Sequence, residues 1–277
     1  MGLRRLLEKD LNKKQIQSLR TSFDIIGTVA IIEIPEELGK KEMEVARAIM
    51  KLHPHVKTVL RKVGDRSGEY RLREMKTIVG NDTKTEVKEH GCTFRLDVKD
   101  VYFSPRESTE RQRIASMVRP RETVMVMFSG ISPYAITIVK KQPNVEKVYA
   151  VEINPAAHKY AVENIRINKV GGKVVPIEGD VTEQCMKYYG MCDRVIMPLP
   201  KEGHKFLPVA LDCLKKKGTV HFYYICLKED MFENAIDIAK MECKKRGKKM
   251  KVIGKRKILP YGPGTFKVCI DFEASNR

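Results

Sequence analysis

The chain has 277 residues, of which 42% are hydrophobic, and its 53 Lys and Arg against 35 Asp and Glu give a formal net charge of +18. This length allows one large domain or two ordinary ones with a sizeable core, which excludes a peptide toxin or disulfide knot, and the composition excludes an intrinsically disordered chain. No apolar stretch is long enough to cross a bilayer, and charges interrupt the leucines of the N-terminal MGLRRLLEKDLNKKQ. We therefore expect a cytoplasmic protein without membrane contact.

The seven cysteines are scattered and form no C-x-x-C pair. An odd number at such spacing predicts reduced, mostly buried thiols rather than disulfides or a zinc site. His53 and His55 lie close together, but no second pair of ligands accompanies them. The sequence therefore predicts no metal.

Residues 1–20 are predicted as a basic N-terminal segment and residues 21–104 as a small α+β domain. The pattern in that domain predicts β structure over residues 22–34, a helix over 40–50, and short strands over 56–63, 75–79, 85–88 and 92–97.

From about Pro105 the rhythm changes to strands that alternate with helices, which predicts a catalytic domain over residues 105–277. The predicted strands cover residues 124–128, 147–152, 173–178, 194–197, 218–225, 251–257 and 266–272. The predicted helices cover residues 133–141, 155–168, 205–215 and 229–244. Such alternation is typical of a mainly parallel, Rossmann-like sheet of seven strands, and the missing helix between the last two strands predicts a final antiparallel hairpin.

A strongly basic run covers residues 244–257, with nine Lys or Arg and no acidic residue. Two interpretations stay open: a contact with a polyanion such as RNA, or a solvated, lysine-rich surface. On the first interpretation, Lys248 and Lys249 bind phosphates of the substrate.

Three residues at predicted strand ends indicate a ligand-binding site, because ligands of open α/β sheets lie beyond the carboxyl ends of the strands. Gly130 lets the backbone after the first strand approach a ligand closely. Glu152, at the end of the second strand, is placed to accept the hydroxyls of a ribose, and Asp180, after the third, to accept the amine of an adenine. Each residue alone is equally well explained as a turn, an N-cap or a solvated carboxylate.

The chain has neither a G-x-G-x-x-G motif nor a Walker lysine, so S-adenosylmethionine is a more natural adenosine ligand than a dinucleotide or ATP. The fourth strand of this domain ends in Pro198-Leu199-Pro200, a tip that lies beside the methyl donor in methyltransferases acting on a base nitrogen. Pro198 and Pro200 are therefore candidates for the substrate slot, although a rigid turn explains them as well.

Seven strings carry a resemblance to a known family: residues 23–30, 67–73, 101–113, 127–130, 151–155, 199–200 and 220–225. Together they resemble the archaeal and eukaryotic tRNA (guanine37-N1)-methyltransferase family, from about residue 20 to the C-terminus. The resemblance implies a class I, S-adenosylmethionine-dependent fold and methylation of the guanine that follows the anticodon, with the tRNA anticodon stem-loop as partner. The fold itself predicts a monomer.

The resemblance also implies roles for single residues. Glu110 matches the general base, Arg106 a neighbouring site residue, and Arg71 the arginine that steadies the guanine oxygen. Phe128, Glu152 and Asp180 match cofactor-binding positions. We predict that Gly130 and Pro198 bind the cofactor as well.

Chemistry supports these roles, because guanine N1 carries a proton that a base has to remove before the nitrogen can be methylated. A partly buried carboxylate can accept the proton, and an arginine can stabilise the negative charge that develops toward O6. The alternative for Glu110 is an i, i+3 partner of Arg113 on a solvated helix.

Three departures from the family pattern leave further functions open. The family usually has an additional small N-terminal domain that contacts the tRNA elbow, whereas about 20 residues precede the middle domain here. Pro198 stands where the family usually has Asn, and it has no side-chain donor or acceptor for a guanine edge. A less polar slot suits the tricyclic 4-demethylwyosine, which wyosine-pathway relatives methylate at a ring carbon. Val126 and Ser132 replace an acidic residue and a glycine, which leaves a non-catalytic RNA-binding scaffold open. Aminocarboxypropyl transfer is the fourth possibility, but that chemistry does not need Glu110 as a base.

Overall fold

The computed structural model describes residues 2–276 except 69 and 71, and for residues 65–67 it describes the backbone alone. The chain divides into two compact units: Met1–Glu89 with Thr93–Pro105, and His90–Cys92 with Arg106–Arg277. Within the described part of the chain, no helix combines the length and the hydrophobicity that a membrane span requires. All seven cysteines are buried and reduced, as predicted.

The first unit contains a four-stranded sheet in the order β1-β2-β3-β4 and a separate hairpin of β5 and β6. β1 and β4 pair antiparallel with their neighbours, whereas β2 and β3 are parallel and are joined through α3. Its elements are α1 (Leu3–Leu7), α2 (Lys13–Ser18), β1 (Phe23–Ile26), β2 (Val29–Ile32), α3 (Glu42–Leu52), β3 (Thr58–Ser67), β4 (Leu72–Val79), β5 (Lys84–Glu89) and β6 (Cys92–Asp97).

Residues predicted as a separate basic segment take part in the core of this unit. Leu3, Leu7 and Leu19 are buried in one apolar cluster with Val45 and Ile49 of α3. Leu3 and Leu7 are about one helical turn apart in α1, so their side chains share one face while the charged residues between them point to solvent. Helix α1 is therefore stabilised by tertiary packing rather than by its length, and Leu19, which directly follows α2, joins the same cluster.

The second unit is a seven-stranded sheet in the order β12-β13-β11-β10-β7-β8-β9, and it has the class I methyltransferase architecture that the sequence predicted. The strands β7 to β11 are parallel, and β13 is antiparallel to both β11 and β12. Its strands are β7 (Thr123–Val126), β8 (Lys147–Glu152), β9 (Val174–Glu178), β10 (Cys192–Met197), β11 (Leu214–Leu227), β12 (Lys248–Gly262) and β13 (Thr265–Asn276). Its helices are α4 (Ser108–Met117), α5 (Pro133–Lys141), α6 (Pro155–Ile167), α7 (Val181–Gln184), α8 (Leu207–Cys213) and α9 (Glu233–Lys245).

The last three strands are longer than predicted, and α8 is shorter. β11 and β13 pair continuously from Lys217 opposite Ser275 to Leu227 opposite Thr265, so ladder hydrogen bonds extend both strands beyond their apolar centres. The predicted helix over 205–215 is limited to Leu207–Cys213, because Leu214 already pairs with Cys192 of β10.

The strand order reverses at β7, which lies between β10 and β8. The chain goes from β7 to β8 and β9 on one side and then returns to β10 on the other. This switch point brings together the carboxyl ends of β7, β8 and β10, where a parallel sheet of this type binds its ligand.

Candidate active site

The turn between β7 and α5 has an unusual backbone. Phe128, Gly130 and Ser132 have φ angles of 57°, 56° and 65°. For residues with a Cβ, such left-handed conformations cost about 1–2 kcal/mol each. Strain of this kind is retained mainly where it positions groups around a ligand, and the turn follows directly after β7 at the switch point.

Glu152 closes this turn from the neighbouring strand. Its Oε2 accepts the backbone N–H of Gly130 at 2.6 Å, and its Oε1 accepts that of Asn154 at 2.9 Å. Burial raises the pKa of Glu152 above its ordinary value, against the opposing effect of these N–H groups. A carboxylate offers about four acceptor sites, so these backbone N–H groups do not use all of them, and the residue fits the adenosine ligand that the sequence predicted.

Asp180 lies at the adjoining strand end. Glu152 pairs with Glu178 across β8 and β9, and Gly179 N–H donates to the carbonyl of Glu152 at 2.9 Å. Asp180 follows at the N-cap of α7, where its Oδ1 accepts the N–H of Thr182 at 2.6 Å. The N-cap that sequence analysis left open is thus present, and the two acids lie at consecutive strand ends.

An aromatic contact joins the turn to the end of β10. The rings of Phe128 and Phe206 are 5.0 Å apart in an edge-to-face arrangement. Phe206 immediately precedes α8, and Pro198 and Pro200 are half-buried just beyond Met197, the last residue of β10. The strands β7 and β10 are hydrogen-bonded neighbours, so these groups lie around one edge of the sheet.

Glu110 is buried at the start of α4, with 3% of its surface exposed. Arg113 binds it with two hydrogen bonds, from Nε to Oε2 at 2.8 Å and from Nη2 to Oε1 at 2.7 Å. The hydroxyl of Tyr223 donates to Oε1 at 2.5 Å. The i, i+3 pairing with Arg113 is therefore present, but it lies on a buried helix face and not on a solvated one.

Two tyrosines connect Glu110 to the switch point. Tyr223 follows Phe222, which pairs with Met197 at the end of β10. Tyr134 donates to the hydroxyl of Tyr223 at 3.1 Å, and Tyr134 is the second residue of α5, directly after the strained turn. The carboxylate of Glu110 is thus joined by hydrogen bonds to the turn that carries Phe128 and Gly130.

A third arginine, besides the two that the sequence predicted, lies near this carboxylate. Arg256, which the sequence analysis did not select, approaches Glu110 with 3.7 Å between Nε and Oε2. Of the two predicted arginines, Arg106 is exposed in a short 3-10 turn, Pro105–Glu107, before α4. Arg71 lies outside the described residues.

Lys248 and Lys249 lie at the opposite end of the sheet from the switch point. They pair with Asn276 and Ser275 of β13, and Ser275 pairs with Lys217 near the start of β11. At about 3.3 Å per residue, Lys249 is about 20 Å along β12 from Arg256. The basic run therefore forms an edge strand that leads from the amino end of the sheet to Glu110.

Further polar groups form a buried network that sequence reasoning missed. Asp271 accepts hydrogen bonds from Arg113 at 2.5 and 3.3 Å and faces His221 Nδ1 at 2.6 Å. His221 Nε2 is 2.7 Å from Nη1 of Arg194, which is bound through its other nitrogens to Glu122. The one signal in the sequence was the polar alternation of Lys267, Cys269 and Asp271 in an otherwise apolar strand.

Three buried side chains in and beside this network also have the spacing of metal ligands. The ligand atoms of His221, Cys269 and Asp271 lie within 4.8 Å of one another. Arg113 and Arg194 already donate to Asp271 and His221, respectively. Because a positively charged arginine already lies against Asp271 and another against His221, these side chains do not fit a bound cation.

Comparisons with known proteins match family models to most of the chain. A family model described as the TRM5/TYW2 methyltransferase domain matches residues 85–253, and one described as the TYW2 N-terminal domain matches residues 3–83.

Three curated relatives show the range of activities in this group. The chain is 45% identical over 258 residues to tRNA (guanine(37)-N(1))-methyltransferase Trm5b of Pyrococcus abyssi, covering 93% of this chain and 76% of the relative. It is 35% identical over 247 residues to tRNA(Phe) (4-demethylwyosine(37)-C(7)) aminocarboxypropyltransferase of Methanocaldococcus jannaschii, covering 89% and 95%. It is 31% identical over 273 residues to tRNA (guanine(37)-N(1))/4-demethylwyosine(37)-methyltransferase Taw22 of Nanoarchaeum equitans, covering 79% and 89%.

Solved structures match over nearly the whole chain. Trm5b from Pyrococcus abyssi has a TM-score of 0.87 at 42% identity, covering 96% of this chain and 78% of that one. A complex of aTrm5 and tRNALeu has a TM-score of 0.87 at 34% identity, covering 99% and 78%. TYW2 of P. horikoshii in complex with MeSAdo has a TM-score of 0.83 at 28% identity, covering 99% and 98%.

Proposed function

Since this chain belongs to the TRM5/TYW2 methyltransferase family, we propose that it transfers a methyl group from S-adenosylmethionine to N1 of guanine 37 in tRNA. The observation that carries the proposal is the buried carboxylate of Glu110, which Tyr223 and Tyr134 connect to the turn after β7. A base at this position is needed for a protonated ring nitrogen.

The residues around the turn fit the cofactor. Glu152 would hold the ribose hydroxyls with its remaining acceptor capacity, and Asp180 would accept the adenine amine. Gly130 allows close approach of the backbone, while Phe128 and Pro198 provide apolar walls. S-adenosylmethionine supplies a methyl group on a positively charged sulfur, which leaves as a neutral thioether once the methyl is transferred.

Glu110 accepts the proton of guanine N1, and the electron pair of the broken N–H bond then forms the new N–CH₃ bond. Negative charge that develops toward O6 is stabilised by a nearby cation. Arg106 remains the proposed residue for this role within the second unit, and Arg71, outside the described residues, remains a prediction.

The tRNA is bound through its anticodon stem-loop, with Lys248 and Lys249 contacting phosphates along the edge of the sheet. Pro200 and Pro198 line the slot for the target base. We assign tRNA binding to residues 21–104 with the basic segment 1–20, and catalysis to residues 105–277, in a monomer that works in the cytoplasm.

A second candidate substrate is 4-demethylwyosine at the same position, methylated at a ring carbon. Pro198 favours it, because a proline offers no side-chain hydrogen bond to a guanine edge and its half-buried ring suits a larger, less polar base. The chain is also similar to an aminocarboxypropyltransferase, so transfer of that group is a third outcome to be tested.

The deciding experiment supplies the purified protein and S-adenosylmethionine with one of three tRNAs: an unmodified transcript, the same transcript with adenine at position 37, or tRNA that carries 4-demethylwyosine. Nucleoside mass spectrometry then identifies the acceptor and the transferred group. We expect 1-methylguanosine in the first tRNA and no product in the second. A methylated tricyclic base alone would replace guanine as the substrate, and an aminocarboxypropyl product would refute methyl transfer. A protein that makes no product and does not bind the cofactor in calorimetry would be an RNA-binding scaffold.

The role of Glu110 is tested by Glu110→Gln, which keeps the shape of the side chain but cannot take the proton. We expect a loss of about 100-fold or more in single-turnover rate, with unchanged affinity for the cofactor. Full turnover in this variant would remove the base assignment.

A further inference from the structure

We infer that Tyr223, Arg113 and Asp271 are positioning residues that fix the carboxylate of Glu110 so that Oε2, and not Oε1, takes the proton of the target base. This inference rests on the proposed function and goes beyond it, because it names the reacting oxygen and the residues that select it.

The buried face of α4 is charged where a helix packed on a sheet is ordinarily apolar. Glu107 and Glu110 are both buried at an i, i+3 spacing, and Arg113 follows three residues later on the same face. Opposite them, β13 presents Lys267 and Asp271, which are buried as well. Glu107 binds Lys267 at 2.8 Å, and Arg113 binds Asp271 at 2.5 Å. Buried charges are costly even when paired, so we attribute this arrangement to the geometry it imposes.

The hydrogen bonds on Glu110 are unevenly divided between its two oxygens. Oε1 accepts two short bonds, from Tyr223 Oη at 2.5 Å and from Arg113 Nη2 at 2.7 Å, which fill its acceptor sites. Within the described part of the chain, Oε2 accepts one hydrogen bond, from the Nε of Arg113 at 2.8 Å. The Nε of Arg256 lies 3.7 Å from Oε2, which is an ion-pair distance but too long for a hydrogen bond. One acceptor site on Oε2 is thus left for a proton.

Tyr134 determines the direction of the Tyr223 hydrogen bond. Its hydroxyl donates to the Tyr223 oxygen at 3.1 Å, so the proton of Tyr223 is directed to Glu110. Burial raises the pKa of both tyrosines well above the ordinary value, so both remain protonated donors over the working pH range.

A second layer holds Arg113 in place. Asp271 binds both of its terminal nitrogens, and His221 binds Asp271 through Nδ1. An arginine cannot accept a hydrogen bond, so the contact between Arg194 and His221 Nε2 requires a neutral imidazole with its hydrogen on Nδ1. Burial lowers the pKa of His221, which agrees with this neutral form.

The test uses Tyr223→Phe, with Tyr224→Phe as the matched control on the same strand. Tyr224 packs against His204 and Phe222 and is not a hydrogen-bond partner of Glu110. The Phe variant at residue 223 keeps the ring and removes only the donor to Oε1.

We expect Tyr223→Phe to lower the single-turnover rate on the pH plateau about tenfold, because the carboxylate is free to turn away from the productive geometry. The KM for tRNA and the calorimetric affinity for S-adenosylmethionine should not change.

Two further variants extend the test to the groups behind Tyr223 and Arg113, and each is assayed at a temperature where it is folded. Asp271→Asn should lower the rate without changing either affinity, whereas Tyr134→Phe should reproduce a weaker form of the Tyr223→Phe effect. A single-turnover rate of Tyr223→Phe that equals that of Tyr224→Phe would overturn the inference. A loss of activity that only follows the loss of folded protein, or that appears as a higher KM for tRNA at an unchanged single-turnover rate, would overturn it as well.

Failure of the inference is distinguishable from failure of the proposed function. If the wild-type protein makes no methylated nucleoside, or if Glu110→Gln keeps full turnover, the proposed function fails first. If Glu110→Gln is inactive while Tyr223→Phe is indistinguishable from its control, the assignment of Glu110 as the base is supported and the positioning role of Tyr223 is refuted.

Discussion

Replacing Asp271 by asparagine perturbs the centre of the buried network. Asp271 is 2% exposed and accepts hydrogen bonds from Arg113 and His221. Asparagine has one acceptor oxygen, and its amide nitrogen would face donors from which it cannot accept. Removing one partner of a buried ion pair costs about 3–5 kcal/mol, because a buried charge is left uncompensated. In a unit of this size, that loss lowers Tm by roughly 6–20 °C.

The assay is thermal and urea unfolding at neutral pH, with Glu273→Gln as the matched control. Glu273 lies two residues further along β13, and it pairs at 3.2 Å with Lys217, whose side chain is 66% exposed. An exposed pair contributes less than about 1 kcal/mol, so this control should unfold close to wild type. An Asp271→Asn variant that is as stable as Glu273→Gln would refute the reasoning, because the network would then contribute no more than a surface pair.

The pH dependence of this difference has a defined sign. Burial alone would raise the pKa of Asp271. Hydrogen bonds from His221 and Arg113 outweigh that effect and hold the pKa well below its ordinary value. A carboxyl group with a lowered pKa stabilises the folded state above the unfolded pKa, near 3.9, and this contribution is lost as the pH falls toward the folded pKa. The gap in unfolding free energy between wild type and Asp271→Asn should therefore stay constant from neutral pH to about pH 5 and shrink below about pH 4.

Three more outcomes follow from the geometry. Glu152→Gln should weaken S-adenosylmethionine binding about 10- to 100-fold in calorimetry, because a charged acceptor of the ribose is lost; Glu178→Gln, its exposed neighbour in register on β9, should not. Since the pKa of Glu152 is raised, wild-type affinity should fall as the pH is lowered through that pKa, and the variant should not follow. Ser132→Gly should raise the free energy of unfolding by about 0.5–1 kcal/mol in a urea titration, because Ser132 has a φ of 65°. Neutralising Lys248 and Lys249 together should make the plot of log affinity for tRNA against log salt shallower by about 1.5 to 2.

The predictions for the lysine pair and for Ser132 each have an outcome that would contradict them. The control for the lysine pair is Lys140 with Lys141, two exposed lysines at the end of α5. A salt slope that is the same in both double variants would remove this end of β12 from the RNA interface. A destabilised Ser132→Gly would mean that the buried hydroxyl, which lies 3.5 Å from Ser129 Oγ, outweighs the strain of the turn.

The parts of the fold that periodicity governs could be predicted from the sequence. Apolar β-branched runs alternate with amphipathic segments from residue 124 onward, and this pattern is local, so five parallel strands and a final hairpin follow from it. The placing of Glu152 and Asp180 at adjoining strand ends also follows, because the carboxyl ends of parallel strands share one edge. Their roles in cofactor binding stay predictions.

The environment of Glu110 could not be predicted in this way. Tyr223 lies 113 residues from Glu110 in sequence, and Asp271 lies 158 residues from Arg113. No local pattern encodes such pairs. The polar sequence of α4 instead favoured a solvated helix, since the partners that neutralise its charges lie on strands near the other end of the chain.

The basic run has a structural explanation that competes with RNA binding. β12 is an edge strand, and exposed lysines on such a strand prevent it from pairing with another sheet. This explanation accounts for Lys249 and Lys251, whose side chains are exposed along that edge. It does not account for Arg256, which lies 3.7 Å from a buried carboxylate. The salt dependence of tRNA binding therefore tests only the outer part of the run.

Paired charges along α4 constrain the helix more strictly than an apolar interface would. Apolar side chains tolerate a small shift or rotation of a helix, because one hydrophobic contact can replace another. The ion pairs Glu107–Lys267 and Arg113–Asp271 lie on either side of Glu110 along the helix. A slip by one residue would turn the helix by about 100° and leave buried charges without partners, at about 3–5 kcal/mol for each broken pair. The register of α4 on β13, and with it the position of the proposed base, is therefore fixed by electrostatics rather than by hydrophobic packing.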